Sequence, residues 1–407
     1  MKKIHFQHTK RIKIAKVFSN FHYFYYFWDE FRLLEMKTVI SIITLLLSLL
    51  VSEAGAQNVT LGSCTLKDGG RYQGEMVANK PHGKGKVVYP NGDIYEGDFV
   101  KGKRQGKGVF TYSDGERYDG DWFMDQRHGN GTYYETTDNK YVGLWNRDRK
   151  EGKGIMYYYN GDVYEGEWLN NQRSGKGRYT FSTGQYYDGG WKNDMRDGNG
   201  VFNWGNGVYY RGTWVQGERK GKGINHYEGG DIYNGYWDGD LPHGQGVYTF
   251  ANGDVYDGTY AKGERTGNGK VKYHNGDTYS GAFVNGERSG RGIFRWDNGD
   301  IYDGFWKKDM QDGRGKLTKN NGDVFEGDFR NGMFEGQITI HYHNGDRFRG
   351  KYHRGIRHGE AVEETKDGKR FEGAYKNGER DGNFVEKDRS GKITARGYYE
   401  DGNRHEQ

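Results

Sequence analysis

The chain has 407 residues, among them 69 glycines, 34 tyrosines and 3 prolines, and 33% of it is hydrophobic. Glycine at over twice its usual share, with apolar material that is mostly rings, excludes collagen-like and proline-rich architectures and a large aliphatic core, and fits thin β structure. Eight of the 61 Lys/Arg but only four of the 56 Asp/Glu fall in residues 1–56, so the remainder is almost neutral and offers no basic footprint for nucleic acid.

Residues 1–35 contain the ring-rich stretch "NFHYFYYFWDEF" and read as a leader translated from an over-extended start. Met36 opens a second beginning. The run "TVISIITLLLSLLVS" at 38–52 follows a lysine and precedes the small residues Ala54 and Ala56. That order predicts a secretory signal over 36–56, cut after Ala56, and hence export to a secreted, periplasmic or cell-surface location. The run is shorter than the roughly 20 residues of a spanning helix. An uncleaved membrane anchor over 38–52 is the alternative. Cys64 is the only cysteine, so no internal disulfide forms.

From Tyr72 the chain repeats every 23 residues, fourteen times, without insertion or deletion. Each copy starts on a tyrosine, replaced by phenylalanine only in the last three. Glycine stands two and eleven residues after that anchor in every copy; Gly97, Gly166 and Gly258 occupy the first slot, and Gly106, Gly175 and Gly267 the second. Four residues after the anchor sits a ring: Phe99, Trp122, Trp145, Trp168, Trp191 and Trp214 in the first half of the array. Trp237, Tyr260, Phe283, Trp306 and Phe329 continue the row. The seventh slot holds only Gly, Asn or Asp, which predicts a turn with positive φ. The thirteenth is glycine in eleven copies, then Ile338, Ala361 and Phe384. The twentieth is glycine in thirteen copies, often within "NGD", a hairpin-turn signal.

A fixed period means one unit stacked on itself. The predicted fold is all-β: an elongated, single-layer antiparallel meander of 23-residue hairpins. Strands such as "YEGDFV" and "KGVFTY" alternate with turns over "KGKRQG" and "SDGER". Side chains alternate along a strand, so Tyr164, Gly166 and Trp168 share one face, as do Gly177, Tyr179 and Phe181. The expected register pairs Trp168 with Gly177 and Tyr179 with Gly166, each ring over a bare glycine, and leaves the charges on the opposite, wet face. No sequence remains to build a second layer. The aromatic face is therefore expected to curl, to dimerise or to meet a partner.

This pattern closely resembles the MORN (membrane occupation and recognition nexus) repeat family, whose unit reads YxGxWxxGxxxGxGxxxxxxGxx, over residues 72–393. A half repeat at 57–71, with Gly62 and Gly69 in phase, precedes the array as a cap. A degenerate half repeat at 394–407 follows it. The weakening of the last three copies is what solenoid ends require. The resemblance also implies binding of phosphoinositide or other anionic headgroups at a membrane surface, although the near-neutral array lacks clustered Lys/Arg.

Catalytic and metal chemistry find little support. His82, His128, His243 and His358 recur in the slot before a glycine, too far apart to share a metal, and read as turn residues. "GKG" is never followed by Ser or Thr, so no phosphate-binding loop is present. The aspartates that follow the turn glycine, such as Asp162 of "NGD" and Asp231 of "GGD", read as hairpin-turn residues rather than calcium ligands. No asymmetric constellation suggests an active site. The expectation is a non-enzymatic exported scaffold without cofactor or metal. Its aromatic face, the eleven rings above, binds a protein partner or a second copy; lipid and cell-surface carbohydrate are the alternatives.

Overall fold

The computed structural model describes residues 58–400 and 402–407, whose regular structure is entirely β, in 32 strands. The leader, the signal or anchor, and the first residue of the 57–71 half repeat lie outside the described residues. The described chain forms two compact units, one ending at Gly108 and the other beginning at Val109. In both, consecutive strands pair antiparallel, as Arg71–Val77 does with Lys80–Val88 and Val163–Leu169 with Gln172–Thr180. The all-β meander of 23-residue hairpins is the observed fold.

Two turn types alternate, and their chemistry explains the repeat. Asn170 and Asn171 have φ of 50° and 69°, the double positive φ of a two-residue type I′ hairpin. The other turn is a three-residue loop. Tyr158 N–H donates to Asp162 O at 2.9 Å, Gly161 N–H donates back to Tyr158 O at 2.9 Å, and Gly161 takes φ 87°. The predicted turn over "KGKRQG" is thus shorter than expected. Only Lys101 and Gly102 turn, with φ of 49° and 83°, and the rest belongs to the strand Lys103–Thr111.

The register also differs from expectation. Gly166 faces Gly177 and Tyr164 faces Tyr179, whereas Trp168 faces Arg173. The physical reason is a bulge. Between Gly166 and Glu167 the pairing shifts, leaving Gly175 and Lys176 unopposed, and Gly175 absorbs the kink with φ 61°. The eleventh-slot glycine is therefore a bulge glycine within its hairpin, and it faces the fourth-slot ring of the next repeat, as Gly175 faces Trp191.

Second- and thirteenth-slot glycines instead face one another from strand to strand. Gly143, Gly154, Gly166, Gly177, Gly189 and Gly200 form one such file. The anchor tyrosine lies down over this file. A methyl group at Gly166 would stand 2.5 Å from both Gly177 Cα and Tyr164 Oη, and one at Gly177 would stand 2.6 Å from the Tyr164 ring. Tyr164 Oη donates to Glu167 O at 3.0 Å, holding a carbonyl beside the bulge.

Fourth-slot tryptophans then stand edge-on between two anchors: Trp168 is 5.2 Å from Tyr164 and 5.3 Å from Tyr141, at 88° and 85°. Its indole N–H donates to Gly154 O, on the preceding strand, at 3.3 Å. Tyr141, Tyr164 and Tyr187 are at most 1% exposed. Burial of one such ring stabilises by roughly 2 kcal/mol, so the array has a core without a second layer.

In the last copies the file is filled rather than bare. Ile338, Ala361 and Phe384 replace glycine, the anchors Phe348 and Phe371 carry no hydroxyl, and these residues join Ile340, Tyr375 and Tyr399 in one buried cluster.

Candidate functional site

The eleven rings predicted to bind, Phe99 in the first unit and the other ten in the second, are all buried: Phe99 and Trp214 are 2% exposed and the most open, Trp191, is 7%. They form the core of the sheet face, and their flat surfaces are already covered. The expected division of rings on one face and charges on the other fails here. Across the type I′ turn the fourth slot pairs with the ninth, which is arginine in six copies from Arg127 to Arg288. That places a guanidinium beside Trp145, Trp191, Trp214, Trp237 and Trp306, and the Lys150 ammonium beside Trp168. Arg127, Arg173, Arg219 and Arg288 lie 4.3–4.4 Å from the ring centres of Trp145, Trp191, Trp237 and Trp306, each in the following repeat.

These arginines are tied down by a seventh-slot aspartate 21 residues downstream. Asp194 Oδ1 accepts from Arg173 N at 2.9 Å and from Arg173 Nε at 3.0 Å, and Arg173 Nη2 donates to Asp194 O at 2.9 Å. The same three bonds join Arg127 to Asp148, Arg219 to Asp240 and Arg288 to Asp309. Stacking and pairing together place a cation on an aromatic face where alternation from the turn alone did not put one. Recurrence of arginine in the ninth slot was the signal available in the sequence.

Along the opposite margin of the same face runs a shelf of rings from the fifteenth and seventeenth slots, of which Tyr158, Tyr179 and Phe181 are half-buried and Phe202 is buried. Tyr158 lies 5.7 Å from Tyr179, Tyr179 4.8 Å from Phe181, and Phe181 5.8 Å from Phe202. Trp204 extends it and is 37% exposed. Between shelf and arginine row lies an open cleft of about 410 Å³ lined by Arg173, Tyr179, Phe181, Trp191, Arg196 and Phe202. The accessible chemistry of the aromatic face is therefore shelf rings and guanidinium edges.

The aspartates that follow the turn glycine do more than turn the chain. Asp162 is 6% exposed; its Oδ1 accepts from Ser182 N at 2.8 Å and its Oδ2 from Tyr179 Oη at 2.6 Å, both in the next hairpin. Burial alone would raise its pKa, but these hydrogen bonds outweigh burial and hold the carboxyl below its ordinary range. Asp231, Asp254, Asp277, Asp300, Asp323 and Asp346 bind the next turn's backbone N–H likewise. The recurrent histidines lie in strands, not turns: His128 is in Gln126–Tyr134 and His358 in Ile356–Glu364. Among the described residues no group of three or more His, Cys, Asp or Glu is placed to hold a metal.

The opposite face carries exposed ion pairs such as Lys84–Asp98 and Arg291–Asp303, as expected. It also carries an apolar patch the sequence reading missed, where Tyr134, Val142, Leu144 and Tyr157 are each 37–39% exposed.

Among solved structures, the chain is similar to the SAS-4 (dCPAP) TCP domain of Drosophila melanogaster in complex with a proline-rich motif of Ana2, at 16% identity over 37% of this chain and 81% of that one, with a TM-score of 0.26. It is also similar to the TCP10 domain of Danio rerio CPAP in complex with a STIL peptide, at 14% identity over 66% of this chain and the whole of that one, with a TM-score of 0.25. No curated protein matches the chain. The family model for the MORN repeat matches fourteen successive segments from 72–94 to 371–383, in the phase of the anchors. With hairpin, glycine file and ring ladder recurring in that phase, the chain belongs to the MORN repeat family.

Proposed function

We propose that the protein is a non-catalytic scaffold that holds an extended segment of a protein partner in the cleft between the ring shelf and the arginine row. One observation carries this reading: Tyr179 and Phe181 remain partly open beside guanidinium groups, whereas the fourth-slot tryptophans and Phe202 are buried. Half-open rings beside fixed donors are the composition of protein-recognition surfaces. The covered faces of the fourth-slot tryptophans give sugar stacking no support. Export through a signal cut after Ala56 accompanies this reading and rests on the sequence of residues 36–56 alone.

A photo-crosslinking residue at position 181 tests it, with position 157 on the opposite face as reference. Partner crosslinks at 181 and not at 157 are expected; the reverse pattern would overturn the reading. Mass spectrometry of the native N-terminus tests export: a first residue of Gln57 is expected, and an intact Met1 would refute cleavage.

A second reading has its own observation. The type I′ turns of four successive copies present Lys307, Lys308, Arg330, Arg354 and Lys376 beside Met310, Met333 and Ile356, which are 44%, 44% and 50% exposed. A basic edge with one protruding apolar side chain on each of three turns suits an anionic membrane surface. Sedimentation with phosphatidylserine vesicles tests this, and equal binding to neutral vesicles would remove it.

A further inference from the structure

Arginine occupies the ninth slot in six copies of the central array, but two of those arginines lack the aspartate that neutralises the others. The partner slot for Arg196 is Gly217, and for Arg265 it is Gly286. Arg196 Nη2 donates to Gly217 O at 2.8 Å, and among the described residues no carboxylate lies within ion-pair distance of it. Its neighbours on both sides are neutralised, Arg173 by Asp194 at 3.0 Å and Arg219 by Asp240 at 2.9 Å. Arg196 is nonetheless drawn partly out of water. Its guanidinium lies 4.2 Å from the Trp214 ring centre and 5.5 Å from that of Phe202, and it lines the 410 Å³ cleft. Arg265 differs in its setting, because its shelf neighbour is Val271 and its stacking partner is Phe283 at 5.3 Å.

A half-buried charge without a counter-charge is costly unless something supplies one. We propose that Arg196 is the specificity residue of the cleft and receives the carboxylate of an aspartate or glutamate from the bound segment, whose adjacent apolar side chain packs on Phe181 and Phe202. The inference rests on the cleft reading above and adds the chemistry of the occupant. Arg196 donates through the guanidinium edge not used by Gly217 O, and the incoming carboxylate takes the place that an aspartate side chain occupies in the sibling repeats.

The molecule provides its own control. Asp148, Asp194, Asp240 and Asp309 adopt φ of 63–68° in the slot that Gly217 fills with φ 92°, and a Cβ added at Gly217 meets nothing within 4 Å. Gly217→Asp therefore folds as its siblings do and neutralises Arg196 internally. The test is selection of a displayed random dodecapeptide library on the full chain, followed by affinity measurements of the selected peptides on Arg196→Gln and Gly217→Asp. Expected are peptides enriched in Asp or Glu that bind both variants about tenfold or more weakly, with the melting temperature of Gly217→Asp not lowered. Selected peptides without acidic enrichment, or unchanged binding to Gly217→Asp, would overturn the inference. If such peptides still lose affinity for Phe181→Ala, the cleft reading survives that result. Failure to select any peptide would sink both.

Discussion

The Tyr164 ring occupies the space a side chain at Gly177 would need: a methyl group there would stand 2.6 Å from Tyr164 Cε2 and Cζ. Ring and glycine are thus one packing unit. Overpacked sites of this kind lose about 1–3 kcal/mol. Gly177→Ala is expected to lower the denaturant midpoint accordingly, and Gly166→Ala more so, because there the obstacle includes the Gly177 backbone. At the corresponding slot of a later copy alanine is too small rather than too large. Ile338 is 0% exposed, and Ile338→Ala is expected to cost about 2–5 kcal/mol through the cavity it leaves.

The tyrosine hydroxyl has its own role. Tyr164→Phe keeps the ring but leaves Glu167 O without its 3.0 Å donor, and is expected to destabilise by about 1 kcal/mol in equilibrium unfolding. No loss would show that the ring alone closes the bulge.

Alkaline unfolding follows from the buried phenols. Burial raises Tyr210, Tyr256 and Tyr279 to about 12, against about 10 in the unfolded chain. The contribution is full below pH 10 and is lost between pH 10 and 12, because the unfolded chain ionises first. Stability should fall steeply over that window, with tyrosinate absorbance and β circular dichroism changing together.

Acid has the opposite sign at Asp162. Its pKa is depressed on folding, so its contribution is present above about pH 4 and fades as pH falls through the folded value. Asp162→Asn should lower stability at pH 7 and narrow its gap to the parent chain as pH drops below 4. An unchanged gap would show that charge plays no part at this turn.

Turn strain offers a stabilising change. Met124 opens its type I′ turn at φ 52°, a conformation that glycine and asparagine adopt more readily. Met124→Asn is expected to raise stability by about 0.5–1 kcal/mol, read as a higher thermal midpoint.

Period, strand class and turn positions were written in the sequence, because glycine, asparagine and aspartate are selected by backbone geometry that acts within a few residues. The anchor tyrosine, the seventh-slot turn and the NGD turn were all found where their spacing placed them. Register and accessibility were decided only in three dimensions. The pair Gly175 and Lys176, unopposed within its hairpin, shifts the register after the bulge, so Trp168 meets Arg173 in its own hairpin and a glycine, Gly152, only on the preceding strand, and rings that looked available for binding become core. That Arg196 lacks a counter-charge depends on Gly217, one repeat away, a relation that exists only once neighbouring strands bring the two slots together.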